Sequence, residues 1–387
     1  MKHQIIGPSG FGIYSIIRYS SMIVSFAITL IMLRVFSFDE FVLFQTLLSC
    51  FVLLYWIIDL GSIDLIVLSK NDNSLVRKYS SGRIFRFVSF TTISSLIIYL
   101  TLGGIPSLVM IAISLDYYND SMIIFRTLRH SLSFLSLTLI IRKTPLLTFL
   151  IYLDFFNVTN KFEAFTSLMI LTNLPWVLMD ILRLPFSIKE IFYWDNKSKL
   201  NTLQQGGNFL ANLDLPLLNL VSFSSIIPIF VLGKRLLQVG SIFGQFKIPF
   251  LLAADIGKMN LDNLRREILK NFKLTLMLNL LICILFEIVE GITKYLGLTM
   301  SDRILLYGCL FISSISVVTT QQSAILKALH EFKCLTHSTF CSTLSYLIAI
   351  FLFLEIFGDS WLFLIALFIN FIIELGVQEL GFKGKYK

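Results

Sequence analysis

Residues 41–68 read FVLFQTLLSCFVLLYWIIDLGSIDLIVL, and the run from Phe41 to Ile58 contains no Lys, Arg, Asp or Glu. About 20 apolar residues in a helix cross the hydrocarbon core of a bilayer, so this stretch predicts a transmembrane helix. The same character extends in both directions. Of 387 residues, 56% are hydrophobic and 14% charged, where a soluble domain carries about 25% charged residues. Thirty-seven Phe are spread over the whole length, with no polar half set against an apolar one. That excludes a soluble enzyme or a large extramembrane catalytic domain.

Apolar runs of transmembrane length predict helices near 16–34, 41–68, 84–102, 105–125, 131–152 and 162–184, then 204–222, 226–252, 273–294, 303–327, 334–357 and 360–380. The expected fold is all-α: a polytopic membrane protein with about 12 transmembrane helices in two six-helix lobes around a central cavity. The expected boundaries are 1–184 for the first lobe, 185–203 for a cytoplasmic linker holding Trp194, and 204–387 for the second lobe. The basic loops around 69–86 and 253–273 each follow the second helix of a set, which suggests a duplicated layout.

The net charge of +8 follows the same frame. With the N-terminus inside, most cations collect in the even loops and the two tails, including Lys70, Arg77, Lys78, Arg83, Arg86, Lys258, Arg265, Arg266, Lys270 and Lys273. Only Arg34, Lys161, Lys294 and Arg303 fall on the other side. This obeys the positive-inside rule, predicts both termini in the cytoplasm, and argues against a basic groove for nucleic acid. No cleavable signal precedes the first span. The five Cys have no CxxC spacing and read as packing residues.

Sequence motifs of soluble enzymes are absent, the four His have no ligand partners, and no cofactor or metal is expected. Polar side chains inside the spans stand out instead, because in a bilayer they face a cavity or a partner helix. Arg142 and Lys143 sit mid-span before Pro145. Roughly +2.5 to +3.5 kcal/mol per central cation is offset about evenly by the large apolar residues around the pair, at about −0.3 to −0.6 each. The eighth span carries Lys234, Arg235 and Lys247, and Lys234, Gln238, Ser241 and Gln245 recur at helical steps on one face. Weaker stripes begin at Arg18, Ser313 and Asn370. Candidate substrate-binding residues are therefore Arg18, Arg142, Lys143, Lys234, Arg235, Gln238, Gln245 and Lys247. Asp59, Asp214, Glu287 and Glu374, with Asp180 and Glu290 beside them, are candidate ion-pair or coupling acids.

Three stretches carry a family resemblance: Arg18 to Arg34 with Phe38-Asp39-Glu40-Phe41, Asp59-Leu60-Gly61, and Asn212-Leu213-Asp214 followed by Phe230 to Gln238 and Pro249. They resemble the polysaccharide flippases that move undecaprenyl-linked O-antigen or exopolysaccharide units, in the superfamily that also holds multidrug and toxic compound extruders and lipid II flippases. Phe230 stands where a Tyr is usual there, and Gly233 where an Ala is usual. The resemblance implies two lobes that alternate between inward-open and outward-open states.

A cavity rich in cations, hydroxyls and amides suits a sugar joined to a lipid by pyrophosphate. The expected function is a bacterial inner-membrane flippase for a lipid-linked oligosaccharide unit, with a polysaccharide polymerase and a chain-length regulator as further partners. One alternative is an ion-coupled multidrug extruder, whose cavity would favour acids over cations. The other is a membrane-embedded polymerase or glycosyltransferase, which would need a long external loop.

Overall fold

The computed structural model describes residues 8–62, 65, 73–122, 132–156, 158–183, 199, 201–203, 205–206, 210–220, 226–241, 261–288, 299–329, 331–357 and 363–385. Among these, twelve α-helices follow one another: α1 Pro8–Val35, α2 Phe38–Asp59, α3 Asn73–Leu102, α4 Gly104–Ser121, α5 Leu132–Phe155, α6 Lys161–Arg183, α7 Asp214–Leu220, α8 Ile227–Gly240, α9 Leu261–Ile288, α10 Met300–Ala328, α11 Phe332–Phe357 and α12 Phe363–Lys385. A 3-10 turn, Ala211–Leu213, runs directly into α7. The chain is an all-helical, multi-pass membrane protein. Among the described residues, six helices are long and apolar enough to cross a membrane: α2, α3 from Lys78, α6, α10, α11 and α12.

Three boundaries differ from expectation in a way that matters for the site. Helix α2 stops at Asp59 rather than running to residue 68, because Leu60 and Gly61 turn left-handed (φ 43° and 69°). The Leu60 N–H still closes onto the Trp56 carbonyl at 3.0 Å. Helices α3 and α9 begin at Asn73 and Leu261 instead of 84 and 273. Lys78, Arg83, Arg86, Arg265, Arg266, Lys270 and Lys273 are therefore helical residues and not loop cations.

Helix starts are written locally. Ser37 caps α2 by accepting from the Glu40 N–H at 3.3 Å, while the Glu40 carboxylate accepts from the Ser37 N–H at 2.9 Å. This reciprocal box satisfies two of the first turn's orphan donors. Thr299 and Asp302 repeat it for α10. Gly103, at φ 97°, makes the single-residue turn between α3 and α4, a backbone region closed to most L-residues.

The chain divides into two compact units: Met1–Thr202 with Leu215–Ser224, and Leu203–Asp214 with Ser225–Lys387. In the first, α4 packs against α2, α3 and α6, while α5 packs against α1 and α6. Phe36 meets Phe162 edge-on at 5.2 Å in this core. In the second, α10 packs against α8, α9 and α12, and α11 against α12. A Cβ on Gly233 would lie 2.8 Å from Leu305 and 3.0 Å from Cys309. The glycine that departs from the family's usual Ala therefore sets how closely α8 approaches α10. Residues 185–198 and 200 of the expected linker lie outside the described residues.

Candidate functional site

In the first unit, α4 places Asp116, Asn119 and Asp120 one helical turn apart on a shared face. Helix α5 brings Arg142 and Lys143 against them. The Arg142 guanidinium donates through Nη2 to Asp116 Oδ1 at 2.8 Å and to Asp120 Oδ1 at 3.0 Å, and through Nε to Asn173 Oδ1 of α6 at 2.7 Å. Lys143 Nζ lies 2.7 Å from Asp116 Oδ2 and 3.4 Å from Asp120 Oδ2. Asn119 Nδ2 donates to both the backbone oxygen and Oδ1 of Asn173, at 3.0 and 3.1 Å.

Among the described residues, two cations face two carboxylates here, the pairing that a bilayer demands of buried charge. The exposure of this group is graded. The Arg142 side chain is 0% exposed, Lys143 7%, Asp116 17% and Asp120 39%. The accessible edge is acidic, with the guanidinium walled off behind it. Arg142 Nη1 is buried without a hydrogen-bond partner among the described residues.

A second cluster closes the end of α2. Arg83 Nε pairs with Asp59 Oδ1 at 2.9 Å, both side chains almost wholly buried. Its Nη2 donates to Ser121 Oγ at 2.8 Å and to the Tyr55 hydroxyl, and its Nη1 to the Met122 sulfur at 2.9 Å. Arg86 Nε donates to the Ile58 carbonyl at 2.8 Å, satisfying an orphan acceptor of the last α2 turn. Residues 201–202 dock here: Trp56 Nε1 donates to the Thr202 carbonyl at 2.7 Å, and Asn201 Nδ2 to the Gly61 carbonyl at 2.7 Å. A Cβ at Gly61 would stand 2.9 Å from the Thr202 nitrogen.

In the second unit, Lys234 Nζ lies 2.8 Å from Asp214 Oδ2, and the Tyr346 hydroxyl of α11 donates to the same oxygen at 2.7 Å. Asp214 is fully buried and the Lys234 side chain is 25% exposed. Arg235 lies one residue on and faces elsewhere, with Nη1 donating to Gln238 Oε1 at 3.1 Å on an exposed surface. The expected stripe thus divides. Lys234 turns to Asp214, Gln238 turns outward with Arg235, and Ser241 is buried with its hydroxyl donating to the Gln238 carbonyl at 3.1 Å. Nearby, Asn279 Nδ2 donates to the Leu310 carbonyl, Ser313 Oγ and Ser314 Oγ at 2.8–3.0 Å.

The other expected residues are scattered. Glu287 is exposed and meets the Tyr307 hydroxyl, with Arg303 Nη1 at 3.7 Å. Glu374 accepts from Gln378 Nε2 at 3.0 Å. Asp180 is buried in α6. Arg18 lies in α1 with its side chain outside the described residues, as are Gln245, Lys247 and Glu290 altogether. Among the described residues, no three His, Cys, Asp or Glu side chains gather as metal ligands.

Sequence reasoning did not single out Asp116, Asp120, Asn173 or Tyr346. The two aspartates were detectable, since two acids four residues apart inside an apolar span are the natural counter-charges for two adjacent cations in the next span. Asn173 and Tyr346 carry no comparable signal, being single polar residues in long helices.

No protein-family model matches the chain, and no curated protein matches its sequence. Solved structures do. The MATE multidrug transporter DinF-BH aligns with a TM-score of 0.68 at 13% identity, over 97% of this chain and 95% of that one. A multidrug resistance MATE family transporter of the MOP superfamily, in an outward-facing conformation, gives 0.64 at 11%, over 96% and 94%. A MOP superfamily transporter from Pyrococcus furiosus, described as having a binding pocket of reverse polarity, gives 0.58 at 10%, over 96% and 94%. At such identities the likeness is one of fold: the chain has the fold of these membrane transporters.

Proposed function

We propose that this chain is a membrane transporter of the multidrug-extruder kind, moving amphipathic organic cations by alternating access. The observation that carries the proposal is the graded exposure of the α4–α5 group. Its open edge is the Asp120 carboxylate and its guanidinium is enclosed. Read from sequence alone, an excess of cations inside the spans speaks against an extruder. Arg142 and Lys143 are matched by Asp116 and Asp120, and Lys234 by Asp214, so that excess is largely cancelled. A carboxylate edge attracts a lipophilic cation and repels a pyrophosphate. Multidrug transporters stand among the proteins of similar fold, which supports the same reading.

The test is efflux of a rhodamine dye from cells stripped of their own pumps. The chain should lower dye accumulation, and D120N should abolish that effect while the protein still reaches the membrane. Equal dye retention with and without the chain would refute the proposal.

One observation favours a second reading, a flippase for an undecaprenyl-pyrophosphate oligosaccharide in a bacterial inner membrane. Arg235 lies on an exposed face of α8 within the stretch that resembles the polysaccharide flippases, bonded to the amide of Gln238. Under that reading both termini are cytoplasmic, and a polymerase and a chain-length regulator are partners. R235A would then stop surface glycan and leave dye efflux untouched.

A further inference from the structure

Helix α9 spans 28 residues, about 42 Å at 1.5 Å per residue, and so outruns the roughly 30 Å hydrocarbon core. The apolar stretch read from sequence begins at 273, which leaves the first turns of the helix at headgroup level. One face of the helix is committed to α10: Ile268 packs with Ile325 and Leu326, and Asn271 Nδ2 donates to Gln321 Oε1 at 3.2 Å. The opposite face is exposed from Arg266 to Ile284, and it changes character in one place. Toward the C-terminus it presents Met277, Leu280 and Ile284, each more than half exposed. Toward the N-terminus the same face presents Arg266, Lys270 and Lys273, all exposed.

Steps of four and three residues keep these six side chains on one side of the helix. The cations lie within about 10 Å along its axis. Glu267, also exposed, lies about a quarter-turn off the stripe and does not interrupt it.

We propose that Arg266, Lys270 and Lys273 form a site for the headgroup of an anionic phospholipid whose acyl chains lie along Met277, Leu280 and Ile284. Charge complementarity selects the occupant. Three cations at headgroup depth, directly above an apolar face, match a phosphodiester joined to hydrocarbon. A soluble anion would use the cations and leave the apolar face without a role. The two long stems, Lys270 and Lys273, can also lie along the apolar face and lift their ammonium groups to phosphate level.

The experiment uses the full chain in nanodiscs of equimolar phosphatidylglycerol and phosphatidylethanolamine, with retained lipids counted by native mass spectrometry after detergent extraction. The wild-type chain should retain phosphatidylglycerol preferentially. Each neutralisation among R266Q, K270Q and K273Q should weaken retention about fivefold, and the triple variant should show no preference. The single variants keep the reading available if the triple variant folds poorly. K333Q, an exposed cation on α11, should change nothing. The proposal is overturned if the single variants retain phosphatidylglycerol as the wild type does, if K333Q loses as much as they do, or if millimolar inorganic phosphate displaces the lipid.

Discussion

Asp120 and Arg142 meet at 3.0 Å with opposite relations to solvent, the carboxylate two-fifths exposed and the guanidinium not at all. Each residue therefore has a separate job. Arg142 gathers α4, α5 and α6 by bonding Asp116, Asp120 and Asn173. Asp120 is the more exposed of the two carboxylates that Arg142 holds.

Removing Arg142 should accordingly be a stability defect first. R142A takes the guanidinium away from two carboxylates, and breaking a buried pair in this way costs about 3–5 kcal/mol. Thermal unfolding in detergent should fall steeply for R142A. D116N in the R142A background should recover part of the loss, and that non-additivity is the signature of direct coupling.

The Tyr346 hydroxyl donates to a buried carboxylate, and hydrogen bonds to charged groups contribute about 1.5–3 kcal/mol. Y346F should lower stability by about that amount. The same substitution in a D214N background should cost markedly less, which melting of the four proteins would measure.

A Cβ at Gly240 would overlap the Ser313 side chain, and Ser313 is held by Asn279. G240A should destabilise by about 1–3 kcal/mol through overpacking. G233A should cost less, because its nearest obstacle is the far end of the Leu305 side chain. Equal melting temperatures for the two variants would contradict this account of the α8–α10 contact.

The Phe38-Asp39-Glu40 stretch that contributes to the family resemblance follows directly on the Ser37 cap and supplies Glu40, the other half of the box. S37A should cost about 1 kcal/mol, while activity per folded molecule stays at the wild-type level. Loss of activity without loss of stability would give this stretch a role in transport.

The all-helical membrane fold was legible in the sequence because apolar runs of bilayer length leave few alternatives, and the described residues hold twelve helices, six of them long and apolar enough to span. The starts of α3 and α9 were not, since hydropathy marks where a helix enters lipid and not where it begins. Arg83 and Arg86 read as loop charges for that reason, whereas they are buried against the end of α2. Arg142, Lys143 and Lys234 stood out as costly side chains in an apolar setting. Their partners did not, because sequence gives no distance between α4 and α5, or between Asp214 and Lys234. The sign of the accessible edge depends on those distances.

Two hydrogen bonds from Asn119 to Asn173 join α4 to α6 through uncharged amide groups, and Asn173 Oδ1 also accepts from the Arg142 guanidinium that holds the carboxylates. One guanidinium thus touches both the seam between α4 and α6 and Asp120, so a proton or a cation arriving at that carboxylate reaches the seam through Arg142.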